Sequence, residues 1–136
     1  MTTAFDADAI IYAAARDHPL GERIAALFTD EDVAGVGSVL LLPEVLTKPM
    51  RDDDASEETT TLISLLSRLD LRPFDDATAR LALGLAVSYG LRAADAAHLA
   101  TAVAAGAERF LTNNRKDFPQ TITEIDVVYP GQLSAP

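Results

Sequence analysis

Short apolar runs alternate along this chain with stretches of helical period, and that alternation limits the fold more than any other feature. "TAFDAD" reads as a short buried strand ending near Asp6, and "AIIYAAARDH" as the helix after it. Pro19 restarts a second helix through "LGERIAALF", as a proline in a first turn does. "EDVAGVG" reads as another strand, with Ser38 as N-cap of a helix "VLLLPEVLTKPM" that holds Pro43 in or near its first turn. The stretch "RDDDASEE" reads as a charged loop, and Ser56 with Glu58 opens the helix "TTTLISLLSRL". "LDLRPF" is a strand, and "DDATARLALGLAVSYG" a helix from Asp75 to Gly90. "LRAADAAHLATAVAAGA" is helical to Gly106, "ERFLTNN" is a strand leaving into a polar turn, and "IDVVYP" is a last strand closed by Pro130. Strands that alternate with helices predict an α/β domain with a mostly parallel sheet covered on both faces. In such sheets ligands bind beyond the carboxyl ends of the strands.

The totals narrow the class. A chain of 136 residues is expected to form a single domain, residues 1–136, long enough to bury a core. No apolar run reaches the ~20 residues that cross a bilayer, and "MTTAFDAD" has no basic segment leading into an apolar one. With no cysteine there is neither a disulfide framework nor a thiolate metal site, so the expected compartment is the cytoplasm. The net charge of −10 is unusual for a protein that grips phosphate backbones, and it suits a basic protein partner or simple solubility equally well.

The acids fall at particular places on this scheme. Asp6 ends the first strand and Asp8 starts the next helix, while Glu44 lies in the helix after the second strand. Asp95 sits among small residues near the start of the Ala-rich helix, and Asp117 follows the "FLTNN" strand after a short turn. Clustered carboxylates without His or Cys suit a hard cation, Mg²⁺ or Mn²⁺, whose charge relieves their repulsion. Such an ion also acidifies water and stabilises charge on a phosphate. On their own, Asp6 and Asp8 read equally as cap and turn residues, and Glu44 as a solvated helix acid. His98, three residues past Asp95, reads first as a packing or hydrogen-bonding histidine.

"FDADAIIYA", "LLPEVL", "LRAADAAHLATA" and "FLTNNRKDF", in this order and at these separations, resemble the PIN-domain family, and within it the VapC-type toxins of bacterial toxin–antitoxin pairs. The resemblance runs from about Ala4 to Tyr129, and "LRAADAAHLATA" is its most specific piece. It implies a PIN-like three-layer α/β/α domain with a mostly parallel sheet of four to five short strands. It also implies an endoribonuclease in which acids bind Mg²⁺ or Mn²⁺, with an antitoxin partner and a homodimer. The matching acids are Asp6, Glu44 and Asp95, whereas Asp8 falls where the family more often has a neutral polar residue. Many relatives carry an acid at the position of Asn114; others carry Asn there and an acid just before the Phe, which is Asp117 here, so both stay candidates. By the same resemblance Thr112 orients a carboxylate or the attacking water.

Basic residues close in sequence to these acids (Lys48, Arg51, Arg92, Arg115 and Lys116) suit either RNA phosphates or the surplus acids. Two other readings compete. "FDADAI" and "FLTNN" also resemble haloacid-dehalogenase-like phosphatases, but that family needs a Lys and an acidic pair after the second motif. Only 24 residues follow Thr112, with Lys116 their one Lys. The other is a non-catalytic PIN-like module that binds RNA or protein, to which Asn114 and the acidic surplus lend support.

Overall fold

The computed structural model describes residues 1–15, 17–29 and 33–136. Among them five strands lie side by side: β1 (Thr3–Phe5), β2 (Gly35–Ser38), β3 (Leu69–Arg72), β4 (Arg109–Leu111) and β5 (Asp126–Val128). The order is β3-β2-β1-β4-β5, and every neighbouring pair is parallel. Among the same residues are six α-helices, α1 (Ala7–Ala14), α2 (Pro19–Ala25), α3 (Leu41–Asp53), α4 (Glu57–Ser67), α5 (Asp76–Tyr89) and α6 (Ala93–Ala104), with short 3-10 turns at Ala26–Phe28 and Pro130–Gln132.

The strands are short, and the three central ones are buried almost throughout, so their successive residues serve opposite cores. Ala4, Val36, Phe110 and Val127 join one cluster with Leu85 of α5 and Leu99 of α6. Phe5, Leu69 and Leu111 join the other with Ile10 of α1, Ile24 of α2, Leu41 of α3 and Leu62 of α4. This is the expected three-layer α/β/α arrangement. Removing Phe110 to alanine, fully buried at 0% exposure, would cost about 3–5 kcal/mol. Gly35 lets β2 lie against β1, because a Cβ there would stand 2.1 Å from the Thr3 carbonyl oxygen.

Local signals explain most helix ends. Asp6 caps α1, Ser56 caps α4 and Asp75 caps α5, each accepting a backbone N–H with its side chain. Gly90 ends α5 in the left-handed conformation (φ 66°). Several boundaries differ from the sequence reading, among them that of α1, expected over 9–18 and observed at Ala7–Ala14. Ser38 is the buried last residue of β2, and its hydroxyl accepts the Leu40 N–H at 3.1 Å, so the helix opens two residues later than a Ser N-cap would place it. The α3 helix runs past Pro49 to Asp53, which takes Arg51–Asp53 out of the charged loop. Glu57 and Glu58 belong to the first turn of α4, where the helix dipole favours acids. The beginning expected for the second strand, Glu31 and Asp32, lies outside the described residues, as does Arg16 of the first helix; the strand observed begins at Gly35.

The strand order positions the site. From the central β1 the chain winds through β2 and β3 to one side, and β4 and β5 lie on the other. The winding therefore reverses between β1 and β4, and the crevice at their carboxyl ends is where such sheets take ligands.

Candidate active site

Phe5 of β1 and Leu111 of β4 are direct partners in the ladder, so the residues that follow them emerge side by side. Those residues are Asp6 and Thr112. The Asp6 backbone N–H bonds the Leu111 carbonyl at 3.0 Å, which extends the pairing one step beyond the strand. The Thr112 hydroxyl then donates to Asp6 Oδ2 at 2.7 Å, while the Ala7 N–H donates to Oδ1 at 2.9 Å. Asp6 is only 4% exposed and Thr112 fully buried, so this carboxylate is held by two donors and has almost no water. Burial pushes its pKa above the ordinary carboxylate value, and the Asp95 charge adds to that. The Thr112 hydroxyl, His98 and the Ala7 N–H act the other way. Asp6 is thus a helix cap and also a buried carboxylate at the end of the sheet, so the cap reading and the candidate-ligand reading are not exclusive.

The other acids arrive from separate elements. Asp8, in the first turn of α1, accepts the Asn113 N–H with both oxygens at 3.2 and 3.1 Å. Burial raises its pKa to about 6, with the charges of Asp6 and Glu44 contributing. Asp95, in the first turn of α6, is raised by burial first, then by Asp117 and Glu44, against lowering by His98 and Arg92. The charges of Asp117 and Glu44 therefore reach Asp95, and that of Asp95 reaches Asp6. Glu44, in the first turn of α3, meets His98 Nε2 at 2.6 Å. Four elements of the chain bring acids to the reversal point of the sheet.

Beyond β4 the turn is built around Asn114. Its Nδ2 donates to Asp117 Oδ2 at 2.9 Å, its Oδ1 accepts the Asp117 N–H at 3.2 Å, and its own N–H bonds the Thr112 hydroxyl at 3.1 Å. Of the two fourth-position candidates, Asn114 orients and Asp117 supplies the carboxylate that Asp95 feels. Thr112 links this turn to Asp6. Arg115, next in the turn, lies over the ring of buried Tyr129 at 4.5 Å from its centroid. Lys48, Arg51, Arg92, Arg115 and Lys116 are all exposed, and none is in an ion pair among the described residues.

Asp8 and His98 could be picked out in the sequence, but not the partners that hold them. Asp8 faces the site through a contact 105 residues distant in sequence, which only the β1–β4 register creates. His98 proves to be a tie between α6 and α3. The Asp-x-Asp opening and the three-residue spacing of Asp95 and His98 were the available hints.

The donor set fits a hard divalent cation: its members are carboxylate oxygens, and neighbouring acid charges help lift the pKa of two of them, Asp95 acting on Asp6, and Asp117 and Glu44 on Asp95. Among the described residues, no three His, Asp or Glu side chains already stand close enough together to enclose a metal. The acids reach the same end of the sheet from separate elements without converging on one point.

The family model of the PIN domain matches residues 4–122. No curated protein matches the chain. Among solved structures, a toxin–antitoxin complex from Klebsiella pneumoniae superposes with a TM-score of 0.72 at 23% identity, covering 96% of this chain and 98% of that one. VapBC2 from Rickettsia felis, crystallised with a DNA fragment from its promoter, superposes with a TM-score of 0.73 at 18% identity, covering 95% and 98%. At these identities the likeness is one of fold.

Proposed function

The chain belongs to the PIN-domain family, and from that premise we propose that it is a Mg²⁺- or Mn²⁺-dependent endoribonuclease, the toxin half of a toxin–antitoxin pair. The observation that carries this reading is the Asp6–Thr112 pair at the reversal point of the sheet, with Asp95, Glu44 and Asp117 around it. Asp6, Glu44, Asp95 and Asp117 would hold the metal, with Asp8 beside them. When bound, the ion supplies the positive charge that these acids and a scissile phosphate both lack.

The chain's own residues do the rest. Thr112 and the Ala7 N–H fix the direction of the Asp6 carboxylate, and Asn114 fixes that of Asp117. Arg115, steadied on the Tyr129 ring, and Lys116 present cations at the rim of the acidic crevice, where RNA phosphates would lie. These cations answer the difficulty of a net charge of −10, since local charge rather than the total meets the substrate.

The partner we propose is an antitoxin with a basic segment, and the acidic surface would speed its encounter. Both solved relatives above are toxin–antitoxin complexes, which supports that choice. A homodimer and a cytoplasmic location complete the proposal. No described helix is long and apolar enough to cross a membrane. Membership of the PIN family displaces the phosphatase alternative.

The test is cleavage of a structured RNA by the purified protein with Mg²⁺, with Mn²⁺ and with EDTA. Cleavage that needs the metal is expected. RNA binding with no cleavage under any metal would favour the non-catalytic module.

A further inference from the structure

We propose that His98 is the positioning residue for Glu44: its buried ring holds that exposed carboxylate at the rim of the crevice, ready to complete a metal site with Asp6 and Asp95. This rests on the metal-site reading above and adds a residue to it.

Glu44 alone is poorly placed to be a ligand. It stands in the first turn of α3, its side chain is 39% exposed, and an untethered Glu keeps most of its rotamer freedom. His98 is its opposite: a side chain with 0% exposure, on a stretch of α6 where Ala96, Ala97, Leu99 and Ala100 are also buried. Packing fixes the ring before any hydrogen bond is made. Its Nε2 meets Glu44 Oε2 at 2.6 Å, a short contact of the kind made with a charged acceptor.

The ring has no other polar anchor. Its Nδ1 is buried without a partner among the described residues, so the bond to Glu44 is the one interaction that repays burying an imidazole there. The bond does not depend on charge: Nε2 donates both in the Nε2–H tautomer and in the cation. Three residues separate His98 from Asp95, which puts them one turn apart on α6. One helix therefore supplies a site acid and also fixes a second acid on α3. Thr112 does the same for Asp6 and Asn114 for Asp117, so each of these three acids is held by a polar residue that is not itself an acid.

Mn²⁺ binding, measured by calorimetry on RNA-free protein, tests this apart from activity. His98→Leu and His98→Met fill the buried volume without a donor, and His98→Gln keeps one. Both apolar variants should bind Mn²⁺ about 10–100-fold more weakly, and His98→Gln should stay within about threefold of wild type. In a Glu44→Ala background, His98→Leu should change the affinity no further, since the pair acts as a unit. Asp6→Asn serves as the control that separates the site from general attraction to an acidic surface. Normal Mn²⁺ affinity in folded His98→Leu or His98→Met would overturn the proposal, as would an equal loss with and without Glu44. If the wild type takes up no Mn²⁺ that Asp6→Asn abolishes, the metal-site reading fails, and this inference with it.

Discussion

Thr112 donates its hydroxyl to Asp6 at 2.7 Å across 106 residues of sequence, and this bond joins the two halves of the sheet at the point where its winding reverses. It follows directly from the register, because Phe5 pairs with Leu111 and each is followed by one member of the bond. The arrangement keeps a nearly waterless carboxylate oriented toward the crevice.

Removing that hydroxyl should therefore act on both fold and chemistry. Thr112→Val keeps the buried shape but leaves Asp6 with the Ala7 N–H as its remaining donor. A loss of about 1–3 kcal/mol in urea unfolding is expected, typical of a buried group that loses a bond to a charged acceptor. RNA cleavage should fall by roughly 10–100-fold. Wild-type stability and rate together would mean that Thr112 only packs.

Asp8 gives a pH signature. Its pKa is lifted from 3.8 to about 6 by burial first, and then by the charges of Asp6 and Glu44. A carboxyl whose folded pKa is raised binds its proton more tightly when folded. Its stabilising contribution is complete below the unfolded value and is lost as pH rises through about 6. In metal-free protein, Asp8→Asn should thus be more stable than wild type by on the order of 1–3 kcal/mol at about pH 8, with no difference below about pH 3.5. Thermal melts across pH with EDTA read this directly. A constant difference at every pH would show that charge is not the cause.

Asp117 and Asn114 should separate in a metal titration. If Asp117 is a ligand, Asp117→Asn raises the Mg²⁺ concentration needed for half-maximal cleavage, since a neutral amide binds a hard cation poorly. Asn114→Ala frees the Asp117 side chain and should lower the rate by roughly 10–100-fold with a smaller change in that concentration. Near-normal metal dependence in Asp117→Asn would leave the site to Asp6, Glu44 and Asp95.

Co-expression with the product of the neighbouring gene, followed by size exclusion with light scattering, addresses assembly. A dimer that forms a larger complex with a small, basic-segmented partner is expected, weakening as salt screens the charges. A monomer indifferent to that product would contradict both parts.

Much of this was legible in the sequence, and what was not has a physical reason. Order and type of elements followed from periodicity, as in "RFL", where alternate residues feed different cores. Boundaries were harder where one residue type serves two purposes. Arg51–Asp53 read as part of a charged loop, yet α3 continues through Pro49 to Asp53; Ser38 read as a cap and instead ends β2. Acids at strand ends stood out because a carboxylate beside a buried run is costly. Asp8 stood out in the same way and His98 read as a hydrogen-bonding residue, but their partners, Asn113 and Glu44, were hidden because register and helix packing fix them across 105 and 54 residues.

The most direct measurement is RNA cleavage by Asp6→Asn and Asp95→Asn in saturating Mg²⁺, beside circular dichroism of each. Asn caps a helix as well as Asp does, and burial already disfavours the Asp6 charge, so both variants should fold as wild type does. The account predicts folded proteins with cleavage reduced at least about 100-fold, a loss expected when a hard cation trades a carboxylate for an amide. Wild-type cleavage by either folded variant, Asp95→Asn above all, would contradict it.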